Sequence, residues 1–401
     1  MEHVWLLASL WIGLALVSTL LAAWLHVSVA LTEIVVGVAA SWAITAHWGP
    51  AAMGAGEGWI VFLAGAGAVV LTFLAGAELD PAAFRKTWKA TTVLGLVGFF
   101  APFLGAAWVA HAVLGWDPRA SLLCGVALST TSVAVVYAVL LELGLNKTPF
   151  GKVILAGCFI NDLGTVIALG LLFAPFGWKT GAFALGTVAG LGALVWATAH
   201  LFRHHGGRTS EFEAKFLLFA LFLLGWLAAW SGSEAVLPAY LVGMVLAGSV
   251  GRDEELIRRL RTLTLGLLTP FYFLRAGSFV QVPVIAAGLG TFAALFCAKA
   301  VSKFVGIFPV TLAQRYPKHD AMYLTLLMST GLTFGTISSL YGLSHHIITQ
   351  GQYSFLVATV IASAVVPTAI ANRFFLPRHH LRPVDGTEGD VALAEAAAAT
   401  D

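Results

Sequence analysis

An amide and a carboxylate stand side by side in the middle of a long apolar stretch, and they are the residues of this sequence best suited to bind an ion. Asn161 and Asp162 lie within the apolar stretch 153–173, and about 20 such residues are enough to cross a bilayer. Because a helix rises about 1.5 Å per residue, Asp162 falls near the middle of the membrane. A carboxylate at that depth costs at least about 2.5–3.5 kcal/mol on insertion scales and by default marks a path for ions or protons. We therefore predict that Asp162 binds a proton or a cation within the membrane.

Two further apolar stretches, 119–141 and 320–343, are interrupted by hydroxyl residues near their centres. The interrupting residues singled out as functional are Thr130, Thr131 and Ser132 in the first stretch and Thr330 and Thr333 in the second. These stretches are the fifth and the twelfth of the chain, so they cross the membrane in opposite directions, which is typical of inverted repeats with discontinuous helices. Freed carbonyls and hydroxyls provide oxygen ligands that suit a hard cation such as Na⁺. The alternative is that these hydroxyls bond only to their own helices.

Four other charged residues lie well inside apolar stretches, away from their ends. Lys299 and Lys303 lie one helical turn apart, and we expect Asp162 to be the partner that keeps a buried ammonium charged. Snorkelling of these long side chains towards the inner surface is the alternative. Arg275 follows an aromatic segment and is predicted to be structural or gating, because its positive charge repels a cation. Glu33 serves either a helix contact or transport.

Composition defines the class of protein. Hydrophobic residues make up 59% of the 401 residues and charged residues 10%, against about 25% charged residues in soluble domains. The net charge of +2 and the three cysteines indicate neither a nucleic-acid partner nor a metal centre. We expect no cofactor, no nucleic acid and no metal ion other than the transported cation at Asp162. An aspartyl protease of the membrane needs two carboxylates that share a proton, and only Asp162 is well placed, so we expect no enzyme.

Thirteen apolar spans with short connections account for residues 1–376, and residues 377–401 form a predicted disordered tail in the cytoplasm. The spans are 4–24, 27–48, 58–77, 90–114, 119–141, 151–174, 181–202, 214–231, 234–250, 262–280, 283–312, 320–343 and 352–375. If the N-terminus lies outside, every inner loop is rich in lysine and arginine, whereas the outer loops hold only Arg119 and Lys179. Positive residues favour the cytoplasmic side. We therefore predict a multi-pass protein of the cell (inner) membrane with its N-terminus outside and its C-terminus inside.

Several segments resemble the monovalent cation:proton antiporters, in particular the second cation:proton antiporter family with its NapA-type and Kef-type membrane domains. The similar segments are Phe73–Asp80, Leu128–Val135, Asn161-Asp162, Lys303–Gly306, Val366–Ala371 and Arg373–Phe375. The order of these segments along the thirteen spans is a more specific sign of the family than any single segment. The resemblance covers nearly all of residues 1–376 and implies an all-α antiporter fold, similar to NhaA and NapA, with two discontinuous crossing helices.

The resemblance also implies how the domain is divided. Spans 4–6 and 11–13 would form a mobile core, spans 1–3 and 8–10 a dimerisation scaffold, and span 7 a linker. A homodimer in the lipid bilayer and elevator-type alternating access follow from it. The nucleotide-binding domain that Kef-type proteins carry in the cytoplasm is not expected.

Together these features predict a secondary transporter that exchanges Na⁺ or Li⁺ for H⁺. Electrogenic members of the family carry two adjacent aspartates, and Asn161 occupies the first of these places here, which predicts electroneutral exchange. Proton release by Lys303 as well would change the stoichiometry to two protons per cation. Exchange of K⁺, Na⁺-coupled uptake of a small organic solute and a passive channel remain as alternatives.

Overall fold

The computed structural model is helical throughout the part of the chain that it describes. It describes residues 2–25, 27–49, 52–77, 81–143, 145–146, 148–173, 177–205, 211–233 and 235–380, and no strand occurs in these ranges. The α-helices are α1 (Glu2–Leu25), α2 (Val29–Trp48), α3 (Gly58–Ala77), α4 (Pro81–Trp108), α5 (Pro118–Ser129), α6 (Val133–Glu142), α7 (Pro149–Phe173), α8 (Trp178–His205), α9 (Phe212–Ser231), α10 (Val236–Leu246), α11 (Glu254–Leu263), α12 (Thr269–Ser278), α13 (Val282–Ala287), α14 (Leu289–Ala313), α15 (Lys318–Leu327), α16 (Thr333–Ser344) and α17 (Gln350–Phe374). Short π-helical segments follow α4 at Val109–Val113 and precede α12 at Thr264–Leu268.

Each of the thirteen predicted spans overlaps at least one of these helices, and the all-α membrane fold is confirmed. Eight helices in the described ranges are long and apolar enough to cross a membrane. The fifth and the twelfth span are each divided into two helices, as predicted: α5 and α6 in one, α15 and α16 in the other.

Polar residues at helix starts explain where several of these helices begin. The Asp117 carboxylate accepts hydrogen bonds from the backbone of Arg119 and Ala120 and so caps α5. Thr349 and Gln352 form a reciprocal capping box at the start of α17. Such caps satisfy backbone N–H groups that have no partner within the helix.

One group of tightly packed helices consists of α1, α2, α3, α10 and α12. Glycines permit its closest approaches. A side chain at Gly243 would overlap the backbone of Phe73, and a side chain at Gly277 would overlap the backbone of Ile34. Small residues at such crossings bring backbones into direct contact within a membrane.

A second group consists of α4, α5, α7 and α14 to α17. The α4–α7 crossing is again made close by glycines, since a side chain at Gly95 would meet Ile160 and one at Gly157 would meet Leu94. This close packing fixes the position of α7, which carries Asn161 and Asp162.

Two segments of interest for the prediction lie at the limits of the described residues. Residues 78–80, the end of a segment that resembles the antiporters, lie outside them, and so does the tail from 381 to 401. The first four residues of the predicted tail are described: Arg378–His380 form a 3-10 turn after α17, and His379 and His380 contact Asp320 at the start of α15. These residues therefore pack against the helical domain.

Candidate ion-binding site

Asn161 and Asp162 are buried side by side in the middle of α7 with unused hydrogen-bonding capacity. Asp162 is 1% exposed and Asn161 is fully buried. The Oδ1 atom of Asp162 and both polar atoms of the Asn161 side chain have no hydrogen-bond partner in the described structure. Buried polar groups are almost always paired in proteins. Three unpaired atoms on neighbouring residues therefore indicate a place for a ligand.

The helical structure of α5 ends just before Thr130, where the backbone is extended with φ −62° and ψ 150°. The opposite break, between α15 and α16, ends at Leu332 with φ −140° and ψ −69°. Gly331 within it leaves no room for a side chain, because a Cβ atom there would lie 2.9 Å from Thr130 Oγ1. The two breaks are thus in contact, as the inverted-repeat interpretation requires.

Hydrogen bonds between the two breaks hold the crossing together. The Ser132 backbone N–H donates to the Thr330 carbonyl over 3.0 Å, and Thr131 Oγ1 donates to the Met328 carbonyl over 2.8 Å. The hydroxyls of Ser132 and Thr333 lie 3.3 Å apart. One backbone N–H group, of Ser132, and two backbone carbonyls, of Thr330 and Met328, are therefore paired across the crossing.

The predicted hydroxyl residues divide between two roles. Thr131, Ser132 and Thr333 bond across the crossing. Thr130 Oγ1 and Thr330 Oγ1 instead donate to carbonyls of their own helices, Ala127 and Leu327, over 3.2 and 2.8 Å. The alternative of local bonding thus describes these two hydroxyls, although the Thr330 carbonyl takes part in the crossing.

Both lysines of α14 reach the first break. Lys303 Nζ donates to Thr131 Oγ1 over 2.8 Å, and Lys299 Nζ donates to the Thr130 carbonyl over 3.3 Å. Both side chains are buried, at 0% and 1% exposure, so they do not snorkel to a surface. The hydrogen bond of the Lys303 ammonium group goes to Thr131, and Asp162 acts on this group electrostatically.

The groups that act electrostatically on Asp162 come from the same place. They are the ammonium groups of Lys303 and Lys299 and the backbone N–H groups of Thr131 and Val133. Val133 is the first residue of α6, and the start of a helix carries a partial positive charge. The carboxylate therefore faces positive groups on the side of the crossing.

Arg275 and Glu33 lie elsewhere. Arg275 Nε donates to the Ala55 carbonyl over 2.9 Å, and its guanidinium lies 5.0 Å from the centre of the Phe279 ring. This agrees with a structural role, since it ties the segment before α3 to α12. Glu33 is buried in α2 at 2% exposure, and neither residue is among the groups that act on Asp162.

Tyr240 of α10 is a site residue that the sequence did not single out. It is fully buried and interacts electrostatically with Asp162. Its hydroxyl donates to the Phe159 carbonyl on α7 over 3.0 Å, and its ring lies against Phe159 and Phe334. One tyrosine in an apolar span is ordinary, so no signal in the sequence marked it.

A buried, partly unpaired carboxylate at the crossing of two interrupted helices, in a multi-pass helical protein, is the arrangement expected of a secondary transporter. The chain belongs to the sodium/hydrogen exchanger family, because residues 12–375 match the model of that family's transmembrane part.

Individual relatives have names that agree with the family. The chain is 30% identical over 231 residues to Probable Na(+)/H(+) antiporter 3 of Methanocaldococcus jannaschii, covering 56% of this chain and 59% of that protein. It is 24% identical over 338 residues to the Na(+)/H(+) antiporter NhaS4 of Synechocystis sp., covering 78% and 82%. Identity to Cation/H(+) antiporter 18 of Arabidopsis thaliana is 26% over 335 residues, 79% of this chain but only 41% of the plant protein.

A solved structure shares the fold. The sodium proton antiporter MjNhaP1 from Methanocaldococcus jannaschii matches 92% of this chain and 97% of its own, with a TM-score of 0.66 and 14% identity. The antiporter fold that the resemblance implied is therefore confirmed.

Proposed function

We propose that the protein exchanges Na⁺ or Li⁺ for protons at a site built around Asp162. The observation that carries this proposal is the buried carboxylate with an unpaired oxygen, next to an equally unpaired Asn161 side chain. Carboxylate and amide oxygens suit a hard cation, and a carboxylate also binds a proton. The family and the names of the antiporter relatives support exchange as the coupled process.

Exchange follows if Asp162 holds one ligand at a time. A cation and a proton compete for the same oxygens, so binding of one releases the other. An ionised carboxylate without a ligand is costly to move through an apolar barrier. The empty site is therefore expected to stay on one side, and this links the two fluxes.

We infer one cation per proton, hence electroneutral exchange. Asn161 brings no second carboxylate to the site, so Asp162 is the one acid of the Asn161-Asp162 pair that can exchange a proton. A transport current at zero ion gradients under an imposed voltage would contradict this stoichiometry and favour two protons per cation.

The plant relatives are named as cation/H(+) antiporters, and these names do not specify the cation. We therefore keep K⁺ as the second candidate for the exchanged ion. Oxygen ligands alone do not choose between Na⁺ and K⁺. The ranking of cations in the transport assay below decides between them.

The two groups of helices support elevator-type movement. The helices α4 to α7 and α13 to α17 would carry the site as the core, while α1 to α3 and α9 to α12 would form the dimerisation scaffold, with α8 as the linker. Tyr240 of α10 packs on Phe159 and Phe334, so it lies on the surface along which these groups would slide. We propose a homodimer in the cell membrane, with the N-terminus outside.

The direct test uses proteoliposomes with an internal pH dye and an imposed ΔpH. Na⁺, Li⁺ and K⁺ are added in turn to the native protein and to the Asp162→Asn variant. We expect Na⁺ or Li⁺ to collapse ΔpH with the native protein and to leave the variant at the level of empty liposomes.

A matched control removes the same charge elsewhere. Glu57 is exposed in the segment before α3, so Glu57→Gln should transport like the native protein. Equal activity of Asp162→Asn and the native protein would show that the site is wrongly assigned. If no cation acts at any pH, Na⁺-coupled uptake of a solute becomes the leading alternative.

The elevator proposal has its own measurement. Spin labels at Glu57 and His346, both exposed, would report the distance between the segments before α3 and after α16 in a variant without Cys297. We expect the distance distribution to change between acidic conditions and high Na⁺ at alkaline pH. One unchanged distance under all conditions would contradict relative movement of the two groups.

A further inference from the structure

A second cluster of ligand-type side chains lies at the end of the helical domain, at the start of α15. His379 Nε2 lies 3.0 Å and His380 Nε2 lies 3.1 Å from the Oδ2 atom of Asp320. The ligand atoms of all three residues lie within 4.8 Å of one another. Two imidazoles and a carboxylate thus converge on one point.

Neighbouring groups hold the cluster in place. The His380 ring stacks on Phe150 at the start of α7, with ring centres 4.7 Å apart and an angle of 11°. Arg378–His380 form a 3-10 turn that presents both imidazoles to the same side. The geometry therefore depends on α7 and α15 as well as on the end of the chain.

The carboxylate has binding capacity left. Asp320 is 1% exposed, and its Oδ1 atom has no hydrogen-bond partner in the described structure. Two imidazoles on one carboxylate are more than the start of a helix requires. A buried polar oxygen without a partner, such as Oδ1 of Asp320, is also rare. Both facts point to a ligand that is shared by the three side chains.

We infer that Asp320, His379 and His380 bind a divalent transition-metal ion of the Zn²⁺ type. Imidazole nitrogen and carboxylate oxygen are normal Zn²⁺ ligands, with bonds of about 2.0–2.2 Å. Tetrahedral geometry then places neighbouring ligand atoms about 3.3 Å apart, close to the two separations in the cluster. Ca²⁺ and Mg²⁺ prefer sites of oxygen ligands alone, so two imidazoles favour a transition metal.

The route to the site is open on one side. The His379 side chain is 57% exposed and that of His380 31%, whereas Asp320 is buried. An ion from solution reaches the imidazoles first. Its binding would fasten the segment after α17 to α15 and, through Phe150, to α7.

The test measures metal binding by the purified full-length protein, without any transport. Zn²⁺ is added in competition with a metal-sensitive dye, and Co²⁺ is then used to record the visible absorption of a tetrahedral site. We expect one bound Zn²⁺ per chain, a Co²⁺ spectrum of tetrahedral type, and a higher melting temperature with Zn²⁺.

Two variants and one control make the result decisive. We expect Asp320→Asn and His379→Gln to weaken Zn²⁺ binding by about tenfold or more. His379 is largely exposed, so this variant should fold even if Asp320→Asn does not. The control is His346→Gln, which changes an exposed histidine after α16. Absence of Zn²⁺ binding by the native protein, or equal affinity of the native protein and His379→Gln, would overturn the inference and leave a hydrogen-bonded histidine pair.

Discussion

At the scale of single residues, Thr131 connects the charge of Lys303 to the crossing of the interrupted helices. Its hydroxyl accepts from the ammonium group and donates to the Met328 carbonyl. A hydroxyl performs both functions in one small group. Valine has nearly the same shape and performs neither.

We expect Thr131→Val to lower both stability and transport. The change leaves a buried ammonium group and a buried carbonyl without partners, at a cost of about 1–3 kcal/mol for such a group. Thermal unfolding in lipid–detergent micelles and the ΔpH assay measure the two effects. Thr131→Ser keeps the hydroxyl and should stay close to the native protein; equal losses in both variants would show that the methyl group matters instead.

Asn161 is the residue on which the proposed stoichiometry depends. Asn161→Asp places a second carboxylate beside Asp162 in the same apolar surroundings. Two adjacent acids cannot both remain ionised without ligands, so the variant should bind an extra proton in each cycle. We expect a transport current that the native protein lacks, recorded on a solid-supported membrane. In Asn161→Ala, which has no added acid, a current of the same size would contradict the explanation.

At the scale of the helices, the crossing depends on the absence of a side chain at Gly331. A Cβ atom there would meet Lys299 Nζ and lie 2.9 and 3.0 Å from the hydroxyl and carbonyl oxygens of Thr130. A side chain at this position therefore requires the Lys299 ammonium group to move and Thr130 to shift.

We expect Gly331→Ala to destabilise the protein by about 1–3 kcal/mol, as overpacking does in other buried sites. The comparison is Gly290→Ala in α14, where a Cβ atom has no neighbour within 4 Å. Alanine favours a helix by up to about 1 kcal/mol over glycine, so this variant should be no less stable than the native protein. Equal thermal stability of Gly331→Ala and Gly290→Ala would mean that the crossing opens without cost.

The breaks were predictable from the sequence because polar residues in an apolar span have few structural uses. Thr131 and Ser132 in the fifth span and Thr330 and Thr333 in the twelfth stood out for this reason, and the two discontinuous helices followed from their positions. The hydrogen-bond partner of Lys303 could not be predicted from the sequence. Its position within a span suggests that the lysine lies near Asp162, but it does not show whether Thr131 lies between the two side chains.

The cluster of Asp320 with His379 and His380 was beyond the reach of the sequence. Asp320 precedes the histidines by 59 and 60 positions, and all of α17 lies between them. An acid near a span end and two histidines in a tail are common surface residues. Only the folding of the chain back onto α15 brings them together.

At the scale of the whole molecule, the proposed orientation determines which end of the site faces the cytoplasm and which end faces the outside. We expect His346→Cys, in a protein without Cys297, to react with a membrane-impermeant maleimide in intact cells. Arg258→Cys should react only after the membrane is opened, because the connection between spans 234–250 and 262–280, which contains Arg258 in α11, is predicted to be inside. Both positions are exposed. The reverse pattern of labelling would place the N-terminus in the cytoplasm.

The hydrogen bonds of the crossing also determine when the site first exists during synthesis. Ser132 and its partner Thr333 are 201 positions apart, and Thr131 and Met328 are 197 apart. A ribosome must therefore release most of the chain into the bilayer before the first break meets the second. Until then the nascent protein holds an incomplete site with unpaired backbone groups, so a chain that is terminated early has a carboxylate but no pathway. We therefore expect the proposed exchange only from a protein whose last quarter has been inserted.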